Sequence, residues 1–132
     1  MNILLVEPDR KLAETYEKAL ELNQHQVKAC ATAQQAILAA DAAKPDVVVL
    51  ELQLVGHSGV EFLHEFRSYA DWQSIPVIIL SSVSPQEFRG SEALLKHLGV
   101  AAYYYKPRTS LKTLFDSIVE VSQTSLVLKD RV

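Results

Sequence analysis

The chain has 132 residues, 48% of them hydrophobic and 22% charged, which suits one domain with a real core and excludes a disordered tail. Its formal charge of −3, with no Lys/Arg-rich run, lacks the broad basic footprint that nucleic-acid binding requires. The single Cys30 makes neither an internal disulfide nor a cysteine-based zinc site, so a reducing, cytoplasmic setting is expected.

Ile3 to Val6 is a short continuous apolar run, ended by Glu7-Pro8-Asp9, and such runs suit a strand buried on both faces. The segment has no basic start and no long apolar core, so it is not a signal peptide, and no run reaches the about 20 residues of a membrane span. Leu12, Tyr16, Ala19 and Leu20 recur at helical spacing, which predicts a helix from about Asp9 to Leu22. Gln26 to Ala29 reads as a short strand. Thr32 with Gln35 is a capping-box pattern, and Ala33, Ala36, Ile37 and Ala40 form a small-residue stripe behind it.

Lys44-Pro45-Asp46 breaks that helix, and Val47 to Leu50, the most strand-like stretch, ends at Glu51. After a loop flanked by Gly56 and Gly59, Ser58 with Glu61 opens a helix whose inner face is Val60, Leu63 and Phe66. Trp72 is expected to pack over it. Val77 to Leu80 is another buried strand, ending at Ser81-Ser82. Ser84-Pro85-Gln86-Glu87 combines an N-cap, a proline at the first helical position and a third capping box, which predicts a helix from Ser84 to Leu98 with Gly99 as its stop. Ala101 to Tyr105 is a fifth strand ending at Lys106-Pro107, and Leu111, Leu114, Phe115, Ile118 and Val119 mark a last helix.

Apolar strands alternating with amphipathic helices require a mostly parallel sheet covered on both faces, an α/β fold whose sites gather at the carboxyl ends of the strands. The polar residues at those ends are Glu7, Asp9, Glu51, Ser81, Ser82 and Lys106. Three acids, hydroxyls and a lysine are therefore expected to meet in one cleft.

These segments, in order and spacing, resemble the receiver domain of two-component response regulators. The likeness rests on Val6-Glu7-Pro8-Asp9, Pro45-Asp46, Gly56-His57-Ser58-Gly59, Ile75 to Ser81 and Tyr103-Tyr104-Tyr105-Lys106-Pro107, and it covers the chain to about Ser122. It implies a flavodoxin-like (βα)5 sandwich with sheet order 2-1-3-4-5. It also implies phosphoryl transfer to an aspartate ending strand three, aided by magnesium held by two adjacent acids, the acceptor and a backbone carbonyl. On this chain the acceptor position is Glu51, and the adjacent acids fall on Glu7 and Pro8, with Asp9 one place late. The carbonyl position is Gln53, the phosphoryl-binding positions are Ser81 and Lys106, and the switch aromatic is Tyr103.

The departures have physical consequences. Pro8 has no side-chain oxygen for a hard cation that demands octahedral oxygen ligands, and Asp9 reads as the N-cap of the first helix. No metal is expected, beyond a weak magnesium site at Glu7 and Glu51. The extra methylene of Glu51 moves its carboxylate by about 1.5 Å, a displacement that costs about 100-fold in rate for in-line attack. It also carries the charge toward Ser81 and Lys106, making Glu51 a partial phosphoryl mimic.

The resulting expectation is a stand-alone degenerate receiver of residues 1–122 with a tail of 123–132, no output domain and no enzymatic activity. It would bind a sensor kinase or a downstream signalling protein through the helix-4, strand-5, helix-5 face, where Arg89, Lys96, Tyr103, Tyr104 and Arg108 fall, with a homodimer through that face as an option. No nucleic acid and no membrane are expected as partners. Ala101 and Ala102 replace the acids that lace the dimers of DNA-binding relatives. The alternatives are a working phospho-acceptor in a phosphorelay and, remotely, a flavodoxin-like enzyme or flavin binder. Glu7-Pro8-Asp9-Arg10 argues against the latter because no glycine-rich phosphate cradle follows the first strand. His57 reads as a solvated loop histidine, and His25, His64 and His97 show no metal-ligand spacing. The tail extends the last helix, packs back on the sheet or grips a partner.

Overall fold

The protein is described by a computed structural model in residues 1–87 and 92–130, with side chains described through Gln123. The apolar runs form β1 (Asn2–Val6), β3 (Val47–Leu50) and β4 (Val77–Ser81), flanked by β2 (Gln26–Cys30) and β5 (Val100–Tyr105). All pair in parallel, in the order β2-β1-β3-β4-β5, as the resemblance implies. Every residue of β3 and β4 is buried, whereas the edge strands β2 and β5 keep partly exposed positions. The continuous apolar runs thus mark the sheet centre, where both faces are covered.

Helices α2 (Ala33–Ala42), α3 (Gly59–Ser68) and α4 (Glu92–His97) cover one face, through a core of Leu4, Val6, Val48, Leu50, Phe62, Leu63, Phe66 and Leu95. Helices α1 (Arg10–Leu22) and α5 (Leu111–Asp130) cover the other, around Ile3, Leu5, Leu20, Val49, Ile78, Leu114 and Ile118. Trp72 is buried over α3 as expected, its ring 5.0 Å from Phe66 and 4.7 Å from Tyr69.

The predicted caps form with differences in detail. Asp9 caps α1 through the Lys11 and Leu12 amides, and Thr32 and Ser58 accept from the amides three residues on. The reciprocal half of the last two boxes is absent: Gln35 instead accepts from the Ala31 amide, and Glu61 meets His57. The Ser84–Glu87 box closes in both directions, yet residues 85–87 form a turn where the sequence predicts the first helical turn. The Glu87 amide also bonds the Ser84 carbonyl, an i to i+3 turn, and among the described residues α4 spans Glu92–His97. Arg89 lies outside the described residues. Gly99 ends α4 with φ +74°, the left-handed conformation natural to glycine. The turns Ala70–Trp72, after α3, and Lys106–Arg108, after β5, are short 3-10 pieces that sequence periodicity did not reveal. Of the options for the tail, extension of the last helix is the one observed, through Asp130.

Two details place the site. β4 and β5 change register between Val77 and Ile78, so that Ile79 opposes Tyr103 and Ser81 opposes Tyr105. Gly59 begins α3 so close to the end of β3 that a Cβ there would stand 2.7 Å from Leu52 Cα and 2.9 Å from the Glu51 carbonyl oxygen. Both neighbours are backbone and cannot yield cheaply. Gly59→Ala is therefore expected to destabilise the fold by about 1–3 kcal/mol, read as a lower urea midpoint at unchanged slope.

Candidate functional site: a lysine held between two buried glutamates

The register aligns the carboxyl ends of four strands, and the residues leaving them converge. The Glu51 amide bonds the Val6 carbonyl and the Glu7 amide bonds the Cys30 carbonyl, each at 2.9 Å. Glu7 and Glu51 are only 4% and 3% exposed. Between them lies Lys106 from the end of β5, its Nζ 2.5 Å from Glu7 Oε1 and 2.8 Å from Glu51 Oε1. Two buried carboxylates share one cation. Such an arrangement persists only where further hydrogen bonds satisfy the remaining lone pairs.

Glu51 is satisfied in full. Its Oε1 also accepts from the Ser82 amide at 3.0 Å and lies 3.1 Å from the Ser82 hydroxyl. Its Oε2 accepts from the Gln53 amide at 3.1 Å and from the Ser81 hydroxyl. Burial alone would raise the Glu51 pKa, but the hydrogen bonds from Lys106, Ser81 and the Ser82 and Gln53 amides overcome it and lower it to about 2. For Lys106, burial acts to lower the pKa, and the hydrogen bonds and charges of Glu51 and Glu7 outweigh it, so the ammonium is held above its usual range. Both groups are charged across the neutral range.

The pocket continues outward. Ser81 Oγ, donating to Glu51, accepts from the Val83 amide at 3.0 Å, and the Val83 carbonyl accepts from the Tyr103 hydroxyl at 2.6 Å. Tyr103, packed on the α2–α3–α4 side, is tied in this way to the loop after β4. Its hydroxyl is held above its ordinary pKa, chiefly by burial and then by the charges of Glu51 and Glu87.

The predicted cluster is thus assembled with one correction. Asp9 does not join it: its Oδ1 accepts from the Lys11 and Leu12 amides at 3.0 and 3.1 Å, an exposed helix cap, while its own amide bonds Glu7 Oε2 at 3.0 Å. A capping carboxylate gains from the helix N-terminus and has no such compensation in the pocket. Pro8 sits between, half-buried and with no side-chain oxygen to offer. Gln53 contributes its amide, and its side-chain oxygen lies 3.0 Å from the Ser82 hydroxyl. Sequence reasoning placed Ser82 at the cleft without a role. Its spacing beside Ser81, at the end of a buried strand, was the available signal, since alternate residues there face opposite sides and only the amide and a turned-back hydroxyl reach Glu51.

On the expected partner face, Lys96 and Tyr103 line one groove beside Pro85 and Leu95, whereas Tyr104 packs with the α1–α5 core on the other side of the sheet. Arg108 is exposed at the end of the 3-10 turn. His57 pairs with Glu61 at 3.1 Å on the surface, away from the Lys106 cluster. Among the described residues, no three His, Cys, Asp or Glu side chains gather as a metal-binding group, and no helix is long and apolar enough to cross a membrane.

Comparison with known proteins agrees with this geometry. The family model described as "Response regulator receiver domain" matches residues 3–118. The chain is 29% identical over 143 aligned residues to the KDP operon transcriptional regulatory protein KdpE of Escherichia coli, covering 99% of this chain but only 62% of that protein's length. Among solved structures, the non-phosphorylated HemR receiver domain of Leptospira biflexa is 27% identical, with a TM-score of 0.78 over 92% of this chain and 93% of that one. A sensor protein from Polaromonas sp. JS666 shares the fold at TM-score 0.83 and 18% identity, over 94% of this chain and 97% of that one.

The ionisation of Glu51 makes a pH prediction. Its lowered pKa contributes stability that is fully present above pH 4.5, the ordinary value, and is lost as pH falls toward about 2. Glu51→Gln keeps the shape but replaces an acceptor with an amide donor facing Lys106 or Ser81. It is expected to cost about 2–3 kcal/mol at neutral pH, less than a fully orphaned lysine because Glu7 remains. The difference from the unaltered protein, measured by urea unfolding, should shrink as pH falls from 4.5 to about 2.

Proposed function

The chain belongs to the response regulator receiver family, and from that premise we propose that it is a signal-transduction module whose phosphoryl-binding donors are held by Glu51. The observation that carries this is the Glu51 carboxylate itself: Lys106, Ser81, and the Ser82 and Gln53 amides all converge on its two oxygens. These are charge-assisted bonds of the kind a transferred phosphoryl group would make, but a carboxylate brings charge −1 and two oxygens where a phosphoryl group brings about −1.5 to −2 and three. The mimicry is partial. Through Ser81, Val83 and Tyr103 the same charge holds the loop after β4 against β5, so the module presents one standing state to a protein partner through the groove of Lys96 and Tyr103. Its role is recognition and not catalysis of a substrate's conversion.

The magnesium that the family resemblance implies fits these residues poorly. Pro8 supplies no ligand, Asp9 caps α1, and one oxygen each of Glu7 and Glu51 is directed at Lys106. A divalent cation would have to displace the lysine from both carboxylates, so weak binding at most is expected, and no step here is routed through it.

A second reading is a receiver that accepts a phosphoryl group, and the relatives taken alone favour it over the first, since they are named as transcriptional regulatory proteins. The chain spans about three-fifths of the length of those two relatives. On this reading Glu51 would have to release its donors before attacking phosphorus, and its longer side chain would then miss the in-line position.

Incubation with Mg²⁺ and acetyl phosphate, followed by intact-mass measurement, separates the two. The unaltered chain is expected to gain no phosphoryl group, and the double variant Glu51→Asp with Pro8→Asp to gain one that is base-labile. Stoichiometric base-labile labelling of the unaltered chain at Glu51 would establish the second reading.

A further inference from the structure

Helices α2 and α3 leave between them an open groove of about 580 Å³, lined by Ile37, Leu38, Phe62, His57, Glu61 and Glu65 among others. Its floor is apolar. Phe62 is buried at its base, Ile37 is partly buried, and Leu38 stands 64% exposed at its edge. The groove owes its depth to α2, whose sheet-facing residues are Ala33, Ala36 and Ala40, small enough for that helix to lie close to the sheet. Val55, 75% exposed, stands on the loop leading into α3.

The charge around this floor has one sign. Glu61 and Glu65 line the α3 side, and Asp41 is exposed near the end of α2. No Lys or Arg lines the groove, and α2 contains none. The cation of α3, Arg67, is turned elsewhere: its guanidinium donates to the carbonyls of Leu98, Trp72 and Gly99 at 2.7, 2.6 and 3.2 Å. His57 offers only the surface pair with Glu61.

We propose that this groove docks an amphipathic helix of a partner protein, with an apolar face flanked by Lys or Arg. A cleft between two helices accepts a third through anchors at i, i+3/i+4 and i+7. The ten residues of α2 extend about 15 Å, a match for two to three turns of such a partner. Exposed Leu38 and half-buried Ile37 supply the apolar contact, and the carboxylates of Glu61 and Glu65, with no Lys or Arg lining the groove, select basic flanks and accelerate encounter at low salt. A nucleic acid or an anionic lipid surface would be repelled. The surface is distinct from the Lys106 pocket and from the Lys96–Tyr103 groove, so the inference stands or falls apart from the state of Glu51.

The test uses the whole chain and a fluorescein-labelled helical peptide of about 18 residues, Leu on one face and Lys on its flanks, with a control carrying Glu in place of Lys. Anisotropy titration at low salt is expected to give saturable binding in the range of about 10–100 μM, weakened in high salt, and none for the acidic control. Leu38→Asp and the charge reversal Glu61→Lys with Glu65→Lys should each weaken it at least about tenfold, a change of about 1.4 kcal/mol, with unchanged circular dichroism. Amide shift changes should centre on α2 and α3. The proposal is overturned by absent saturation, by equal binding of the acidic control, by indifference to these substitutions, or by shift changes centred on β5. Concentration-dependent dimerisation abolished by Leu38→Asp would also overturn it, since a second copy would then be the occupant.

Discussion

One lysine between two buried glutamates is the constraint around which this molecule is arranged. Lys106 lies within 2.5 and 2.8 Å of Glu7 and Glu51, neither of which meets solvent to any extent. Removing three ions from water is tolerable only because every oxygen of Glu51 and one of Glu7 finds a backbone or hydroxyl donor as well. The sheet delivers those donors. They come from the ends of β1, β3, β4 and β5, so the electrostatics of the pocket and the parallel order of the strands are one requirement seen at two scales.

The pocket is also joined to the periphery by side chains that have few alternatives. Ser81 has a single hydroxyl proton, directed at Glu51, and its oxygen accepts from the Val83 amide. The Val83 carbonyl then receives the Tyr103 hydroxyl. Glu51 is in this way joined by hydrogen bonds to the hydroxyl of Tyr103 on β5. The family resemblance implies a phosphoryl group there, with greater charge and more oxygens. On the reading proposed above, a glutamate that reaches the same donors is a weaker, standing substitute for that group, and the proline beside Glu7 fits the same reading because its side chain offers no ligand to a cation.

Arg67 plays a comparable part at the opposite end of the sheet. It joins the end of α3, the turn around Trp72 and the Leu98–Gly99 corner through three carbonyls. Burial lowers its pKa, but a guanidinium remains charged. With its charge held there, the α2–α3 face keeps an acidic and apolar character that neither helix alone would reveal.

Much was legible in the residue order. Continuous apolar runs belong to central parallel strands because both of their faces are covered, and the acids and hydroxyls that end those runs belong at the carboxyl edge. That logic located Glu7, Glu51, Ser81 and Lys106, and the N-caps of Asp9, Thr32 and Ser58, since capping chemistry is local. What required the tertiary structure was everything set by distance across strands. The register change between β4 and β5 decides which tyrosine faces which core. The meeting of Lys106 from β5 with Glu7 from β1 depends on how the two distant strand ends come together. The joining of Ser82, Val83 and Tyr103 depends on how loops close over the sheet. Local pattern carries which atoms are available; only packing determines which of them meet, because a hydrogen bond depends on angstroms that no spacing along the chain encodes.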